Sequence, residues 1–240
     1  MDEQIKYKRV VLKLSGEALS KGGSGILNYD ILRNISQKIK ICVGMGISFG
    51  IVVGGGNIWR GAMATSMTDR VRSDHMGMTA TVINALALQD ALESDGIDTR
   101  VMTAIEMRQI AEPYIRNKAM SHLKKGRVCI FACGTGSPYV TTDTAAVMRA
   151  NEINADIVLL GKNNADGVYS SDPNKFPDAK KFADLKYQNI LVDKNLGVMD
   201  MTAASYSMDS NIPICVIGID DPENIIRVLK GEKIGTMIQN

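Results

Sequence analysis

Apolar residues follow two rhythms along the chain, short unbroken runs and spaced stripes, and the two alternate. Residues 10–14 form a run broken only by Lys13, as in a strand buried on both faces. Residues 29–44 place Ile31, Leu32, Ile35, Ile39 and Val43 at helical spacing, and Gly44 suits the helix end. The alternation continues with a strand at 47–53 and a long helix at 73–93, whose core side carries Val82, Ile83, Leu86 and Leu92. A strand at 100–103, a helix at 114–124, a strand at 127–133, a helix at 143–152 and a buried strand at 157–160 follow. The stretch 168–193 is less regular and is predicted to hold a hairpin and a short helix. A strand at 213–217, a helix at 222–230 with Pro222 near its first turn, and a strand at 236–238 complete the pattern. Strands alternating with helices predict an α/β fold, a three-layer sandwich with a mostly parallel central sheet. With no repeat, low-complexity tract or linker composition, residues 1–240 read as one domain.

Composition narrows the function classes. Hydrophobic residues at 45% and charged residues at 22% fit a water-soluble globular core. A net charge of +2 gives no field aimed at nucleic acid or an anionic membrane, and 5% aromatics argue against a base-stacking surface. No apolar stretch has the length of a bilayer span, and MDEQIKYKRVVLKLSG lacks the pattern of a signal peptide. Cys42, Cys129, Cys133 and Cys215 form no CxxC pair, and His75 and His122 lack metal-ligand spacing. These features predict buried reduced thiols, no protein-held metal, and a cytoplasmic location.

The chemistry gathers where strands end. In open parallel sheets, ligands bind beyond the carboxyl ends of the strands. Four apolar runs exit into polar, glycine-containing segments: Lys13-Leu14-Ser15-Gly16, GGGNIWRG at 54–61, GTGSPYVTTD at 134–143, and GKNNADGVYSSDP at 161–173. Glycine lets backbone N–H groups approach phosphates, and a following helix N-terminus adds positive potential. Lys13 reads either as an edge lysine reaching water or as a phosphate ligand at the strand exit. Arg60 reads either as a surface arginine or as a fork for phosphoryl oxygens. Asp74 and Asp143 stand at predicted helix starts, where a cap and a ligand-facing carboxylate are compatible roles. Asp200 is an N-cap or an active-site carboxylate, and Asp172 before Pro173 fixes a turn or faces a ligand. The chain has no GxxxxGK[ST], no GxGxxG after its first strand and no GxSxG, which sets aside P-loop, dinucleotide-binding and nucleophile-elbow chemistry.

VLKLSGEAL, VVGGGNIWRG, DHMGMTATVINALAL, GTGSPYVTTDTAA, DGVYSSDP and VMDMTAAS together resemble the bacterial uridylate kinases of the amino-acid kinase superfamily, along nearly the full length. KLSG and GGGN are shared by the wider superfamily, whereas DHMGM and GTGxPxxTTD are particular to the uridylate branch. The resemblance implies transfer of the ATP γ-phosphate to UMP. It implies ATP contacts at Lys13, Leu14, Ser15, Gly16, Gly56, Arg60, Asn163, Tyr169 and Asp172. It implies UMP contacts at Gly55, Asp74, Thr135, Gly136, Ser137, Pro138, Tyr139, Val140, Thr141 and Thr142, with Lys13, Arg60, Asp143 and Asp200 at the phosphates. It further implies Mg²⁺ accompanying ATP, GTP as activator, UTP as inhibitor, and a homohexamer. The acceptor side falls in the N-terminal part and the ATP side from about residue 156. The family's effector region begins at the glycine-rich segment 19–26. The alternatives are a kinase of the same fold acting on a carboxylate such as acetylglutamate, or a nucleotide sensor without turnover.

Overall fold

The computed structural model describes residues 5–20, 25–60, 69–163, 165–173, 175–193, 196 and 198–240. Residues 21–24 of the glycine-rich effector segment, and Gly61, lie outside the described residues.

Among the described residues, nine strands form one sheet. They are β1 (Arg9–Leu14), β2 (Ser48–Val53), β3 (Thr99–Thr103), β4 (Glu112–Pro113), β5 (Val128–Ala132), β6 (Ile157–Lys162), β7 (Asp184–Lys186), β8 (Ile214–Gly218) and β9 (Thr236–Gln239). Their order is β4-β3-β5-β2-β1-β6-β8-β9-β7. Every pairing is parallel except β8 with β9. Seven helices cover it: α1 (Tyr29–Gly44), α2 (Arg70–Ser94), α3 (Arg116–Lys124), α4 (Thr142–Glu152), α5 (Tyr187–Val192), α6 (Met201–Ser210) and α7 (Glu223–Leu229).

The period-two alternation of the strands builds two cores. On one face Val10, Leu12 and Leu14 pack with Leu32, Ile35 and Ile39 of α1, Val82, Ala85 and Leu88 of α2, and Ile225 and Leu229 of α7. On the other, Val11, Val158 and Val216 pack with Ala119 of α3, Ala146 and Ala150 of α4, Ile190 of α5 and Ala203 of α6. The predicted three-layer α/β sandwich is therefore observed.

Several details differ from the sequence reading. Helix α2 begins at Arg70, with Asp69 accepting from the Arg72 N–H, so Asp74 sits in the second turn and caps nothing. Ile83 faces outward; the buried stripe of α2 runs through Met78, Val82, Ala85, Leu88 and Leu92. Helix α3 starts at Arg116 and not at Tyr114, because Glu112 and Pro113 pair with β3 and the Tyr114 N–H bonds the Thr103 carbonyl. Helix α4 is capped by Thr141, whose hydroxyl accepts from the N–H groups of Asp143 and Thr144, so Asp143 is free of capping duty. The irregular stretch contains an antiparallel bridge between Tyr169 and Lys181, then β7 and α5.

Candidate active site

Strand β1 lies between β2 and β6. The chain passes from β1 to β2 on one side and reaches β6 on the other, so the exits of β1 and β6 flank the point where strand order reverses. Lys13, next to last in β1, points to the face covered by α4. It is only 7% exposed, and its Nζ lies 2.6 Å from Asp143 Oδ1. Lys162, the last residue of β6, places its Nζ 3.8 Å from Asp143 Oδ2. One carboxylate in the first turn of α4 is thus shared by two ammonium groups. Burial of Asp143 opposes ionisation, but the charges of Lys13 and Lys162 and the hydrogen bond from Lys13 prevail and hold its carboxyl below the ordinary range. Desolvation and the nearby Lys13 charge lower the Lys162 ammonium, partly offset by Asp143 and Glu17.

The loop after β1 turns tightly against the loop after β2. The Leu14 carbonyl accepts from the Gly54 N–H at 2.8 Å, and the Ser15 hydroxyl accepts from the Ala18 N–H at the start of a 3₁₀ turn, Gly16–Leu19. The glycine loop is fixed from behind by a pair of amides, buried Asn84 and half-buried Asn57. Asn84 of α2 donates to the Gly54 carbonyl at 2.6 Å and to Asn57 Oδ1 at 2.8 Å, while Asn57 donates back to Asn84 and to the Ile26 carbonyl. Arg60 donates from Nε to the Gly56 carbonyl and from Nη2 to Glu17 Oε1 at 2.5 Å. Its guanidinium is thus engaged by Glu17.

Two cavities flank the Lys13–Asp143–Lys162 cluster. The first, of about 170 Å³, is lined by Gly55, Asp74, Thr135, Val140, Thr141 and Thr142, among others. A Cβ on Gly55 would come within 2.7 Å of the Gly77 carbonyl of α2, so only glycine permits this approach of loop and helix. Asp74 accepts from the Tyr139 N–H at 2.8 Å and from Arg70 Nε at 3.0 Å, tying α2 to the loop before α4. Cys133 and Tyr139 hold positive φ of 63° and 65° near the two ends of that loop, and Gly136 bends between them. The Ser137 N–H donates to Thr135 Oγ1. Pro138 lies beside exposed Tyr139, over whose ring Arg70 stacks at 5.0 Å. The second cavity, of about 270 Å³, is lined by Lys162, Tyr169, Asp172, Leu196 and Val198, among others. Asn163 follows Lys162 directly, half-buried, and Tyr169 donates its hydroxyl to Asp166 at 2.6 Å.

Asp200 is set apart from both cavities' linings. It caps α6 by accepting from the Ala203 N–H at 2.9 Å, and it accepts from the hydroxyls of Thr141 and Thr144. It therefore pins the start of α4 to the start of α6.

The amino acid kinase family model matches residues 8–218. The chain belongs to the amino acid kinase family. Within that family it is similar to a uridylate kinase of Limosilactobacillus reuteri (strain DSM 20016), 54% identical over 236 residues that cover 98% of each chain. The crystal structure of a UMP kinase from Bacillus anthracis superposes with a TM-score of 0.93 at 42% identity, over 97% of this chain and 96% of that one. A UMP kinase from Ureaplasma parvum gives 0.91 at 37% identity, over 98% and 100%.

Three residues of this amino acid kinase site escaped the sequence reading. Lys162 carries the same signal as Lys13, a cation at the end of an apolar run, but it is hidden in the polar string GKNN. Glu17 engages Arg60 across 43 residues, and no local pattern announces that. Arg149 is buried, stacks on Tyr114 at 3.7 Å, bonds Glu152 at 2.6 Å and reaches the Gly134 carbonyl at 3.3 Å, bracing the loop after β5 from beneath.

Proposed function

We propose that this chain is a nucleoside monophosphate kinase that transfers the γ-phosphate of ATP to UMP, giving UDP and ADP for pyrimidine nucleotide synthesis. One observation carries the reading. The two segments particular to uridylate kinases, DHMGM and GTGSPYVTTD, are distant in sequence yet line a single cavity beside the lysine–carboxylate cluster. The 54% identity to a named uridylate kinase supports the same acceptor.

Phosphoryl transfer asks little covalent chemistry of the protein. It needs both substrates in line and positive groups at the equatorial oxygens. In this reading UMP occupies the cavity of Gly55, Asp74 and residues 135–142, with Asp74 on the ribose and Thr142 near uracil. Adenosine occupies the cavity of Tyr169 and Asp172, beside Asn163. Lys13, Leu14, Ser15, Gly16, Gly56 and Arg60 surround the phosphates between them, so the acceptor side is mainly N-terminal and the donor side begins near residue 156. Arg60 leaves Glu17 for the phosphates when nucleotide arrives. Asp143 holds Lys13 in place, and Asp200 orients the start of α4. Among the described residues no group of three or more acidic, His or Cys side chains is arranged to hold a metal, and Asp143 is already engaged by two lysines. In this reading Mg²⁺ enters as part of the substrate, bound mainly by ATP phosphates and water.

Met76 and Ile83, one heptad apart on α2, are exposed apolar side chains, which supports burial against another copy and the homohexamer of this reading. No helix among the described residues is long and apolar enough to cross a membrane. A cytoplasmic location, activation by GTP and inhibition by UTP complete the proposal.

The test is ADP release from MgATP with UMP, CMP, dCMP and acetylglutamate offered separately. Turnover with UMP alone is the expected result. Turnover with acetylglutamate alone would remove the acceptor assignment, and no turnover by folded protein would favour a nucleotide sensor.

A further inference from the structure

A carboxylate in a nucleotide cavity constrains which part of the nucleotide lies against it. It repels phosphate and accepts from hydroxyls, so of the parts of a mononucleotide it fits the vicinal diol of the sugar. Asp74 is such a carboxylate, lining the cavity of Gly55 and Thr142 with its side chain mostly out of water. Two residues that do not line the cavity hold it. Arg70, one turn earlier on α2, places Nε 3.0 Å from both Asp74 oxygens. The Tyr139 N–H donates to Oδ2 at 2.8 Å from the loop before α4. The third side of this triangle is closed as well, because the Arg70 guanidinium lies 5.0 Å from the centre of the Tyr139 ring. Tyr139 keeps a φ of 65°, unfavourable for a residue with a side chain, while its N–H is held on Asp74. The carboxylate has about four acceptor positions, so these contacts fix its direction without exhausting its capacity. The Arg70 side chain is 57% exposed, and an ion pair so exposed adds little to fold stability. What it sets is direction. A carboxylate fixed toward the cavity cannot turn to water when a ligand lacks a hydroxyl, so the acceptor stays unpaired and the ligand is rejected. A carboxylate free to rotate finds water and tolerates the loss.

We propose that Arg70 is a positioning residue that makes the acceptor site select ribonucleotides over 2′-deoxyribonucleotides, by locking the Asp74 carboxylate toward the sugar. The proposal rests on the kinase reading above, with Asp74 as the partner of the ribose. Arg70 touches neither the substrates nor the reacting phosphates and acts only through Asp74. The Tyr139 N–H ties the same carboxylate to the loop of residues 134–141, so one group sets both sugar recognition and the seat of that loop.

The experiment uses the full chain and the variants Arg70→Met and Arg70→Lys, with steady-state formation of UDP from UMP and of dUDP from dUMP. The parent chain is expected to favour UMP by ~10²-fold or more in kcat/KM, as where a hydroxyl is read by a fixed partner. Arg70→Met should lower that preference about 5- to 10-fold, mostly through a higher KM for UMP. Its kcat with UMP and its KM for ATP should stay within about twofold of the parent, and its Tm should be unchanged. A merely structural arginine would weaken UMP and dUMP alike and leave their ratio unmoved. Arg70→Lys should restore part of the preference, since an ammonium pairs with the carboxylate but lacks the planar guanidinium that fixes it against Tyr139. An Arg70→Met variant with the parental ratio of UMP to dUMP overturns the proposal. If that variant does not fold, Arg70→Ala takes its place, and a parental ratio there overturns it equally. A parent chain that uses UMP and dUMP equally well also overturns it, and leaves the kinase reading standing. A parent chain that makes neither diphosphate overturns the kinase reading instead, so the two failures are distinct.

Discussion

Lys13 sits in the middle of a buried sheet, and its charge is matched by one carboxylate contributed by a helix 130 residues further along the chain. Replacing it by Met leaves Asp143 with the more distant Lys162. Turnover should fall ~10²-fold or more while far-UV circular dichroism stays unchanged, as for loss of a transition-state cation. Asp74 holds Arg70 and the Tyr139 N–H at the cavity proposed for the acceptor, so Asp74→Asn should raise KM for UMP about tenfold, the worth of one charge-assisted contact, and leave KM for ATP unchanged. A selective loss of ATP binding would show the two cavities to be assigned in reverse. Asp143 has a pH signature. Its folded-state carboxyl lies below the ordinary value near ~3.9, so its contribution to stability is complete above that pH and is lost as pH falls through the lower folded value. Asp143→Asn should lower Tm at neutral pH, by about 3 kcal/mol of stability, and flatten the acid limb of Tm against pH. Lys13 was legible because one charge inside an apolar run has few explanations. Lys162 was not, because it stands where the run has already turned polar.

Helix α6 is the element most dependent on a single side chain. Asp200 satisfies its first turn and also receives the hydroxyls of Thr141 and Thr144 from α4. Asp200→Ala should cost about 1–3 kcal/mol, read as a lower urea midpoint, because it removes a cap and leaves the buried Thr144 hydroxyl without this acceptor. Asp200→Asn keeps an acceptor oxygen and should retain more of both stability and kcat; equal loss of kcat in the two would mean that the charge, and not the placement of α4, matters. The long elements were readable in advance because their stripes are strong: α1 spans the predicted residues 29–44. Helix α6 was not named, since its buried positions are Ala203, Ala204 and Ser207, too small to give contrast. Strand β4 has two residues, and only its partner β3 defines it.

Across the molecule, the sheet leaves the four thiols inside. Desolvation pushes Cys42, Cys129 and Cys215 up to about 12 and raises Cys133 as well. A thiol-reactive disulfide at mildly alkaline pH should label none of the four in the native chain and all four in denaturant. Rapid labelling of Cys133 alone would reveal opening of the loop beside the cavity of Asp74 and Thr142. The architecture could be foreseen because alternating strands and helices have few solutions, and the strand exits could be foreseen because glycines and polar residues cluster there. The pairings of Glu17 with Arg60 and of Asn57 with Asn84 depend on which loops meet, and that is decided by topology and not by local pattern. The central place of β1 has a further consequence, in time. This strand is among the first parts of the chain to be synthesised, yet its second neighbour, β6, ends at residue 162. At cellular translation rates the ribosome needs roughly 7–30 s to cover that distance. Throughout that interval β1 has one edge without its final partner, and the cavity of Lys162, Tyr169 and Asp172 does not exist. Thr142, the last residue to line the cavity of Gly55 and Asp74, is itself made only about 20 residues before β6 ends, so the two cavities take shape late and close together in time.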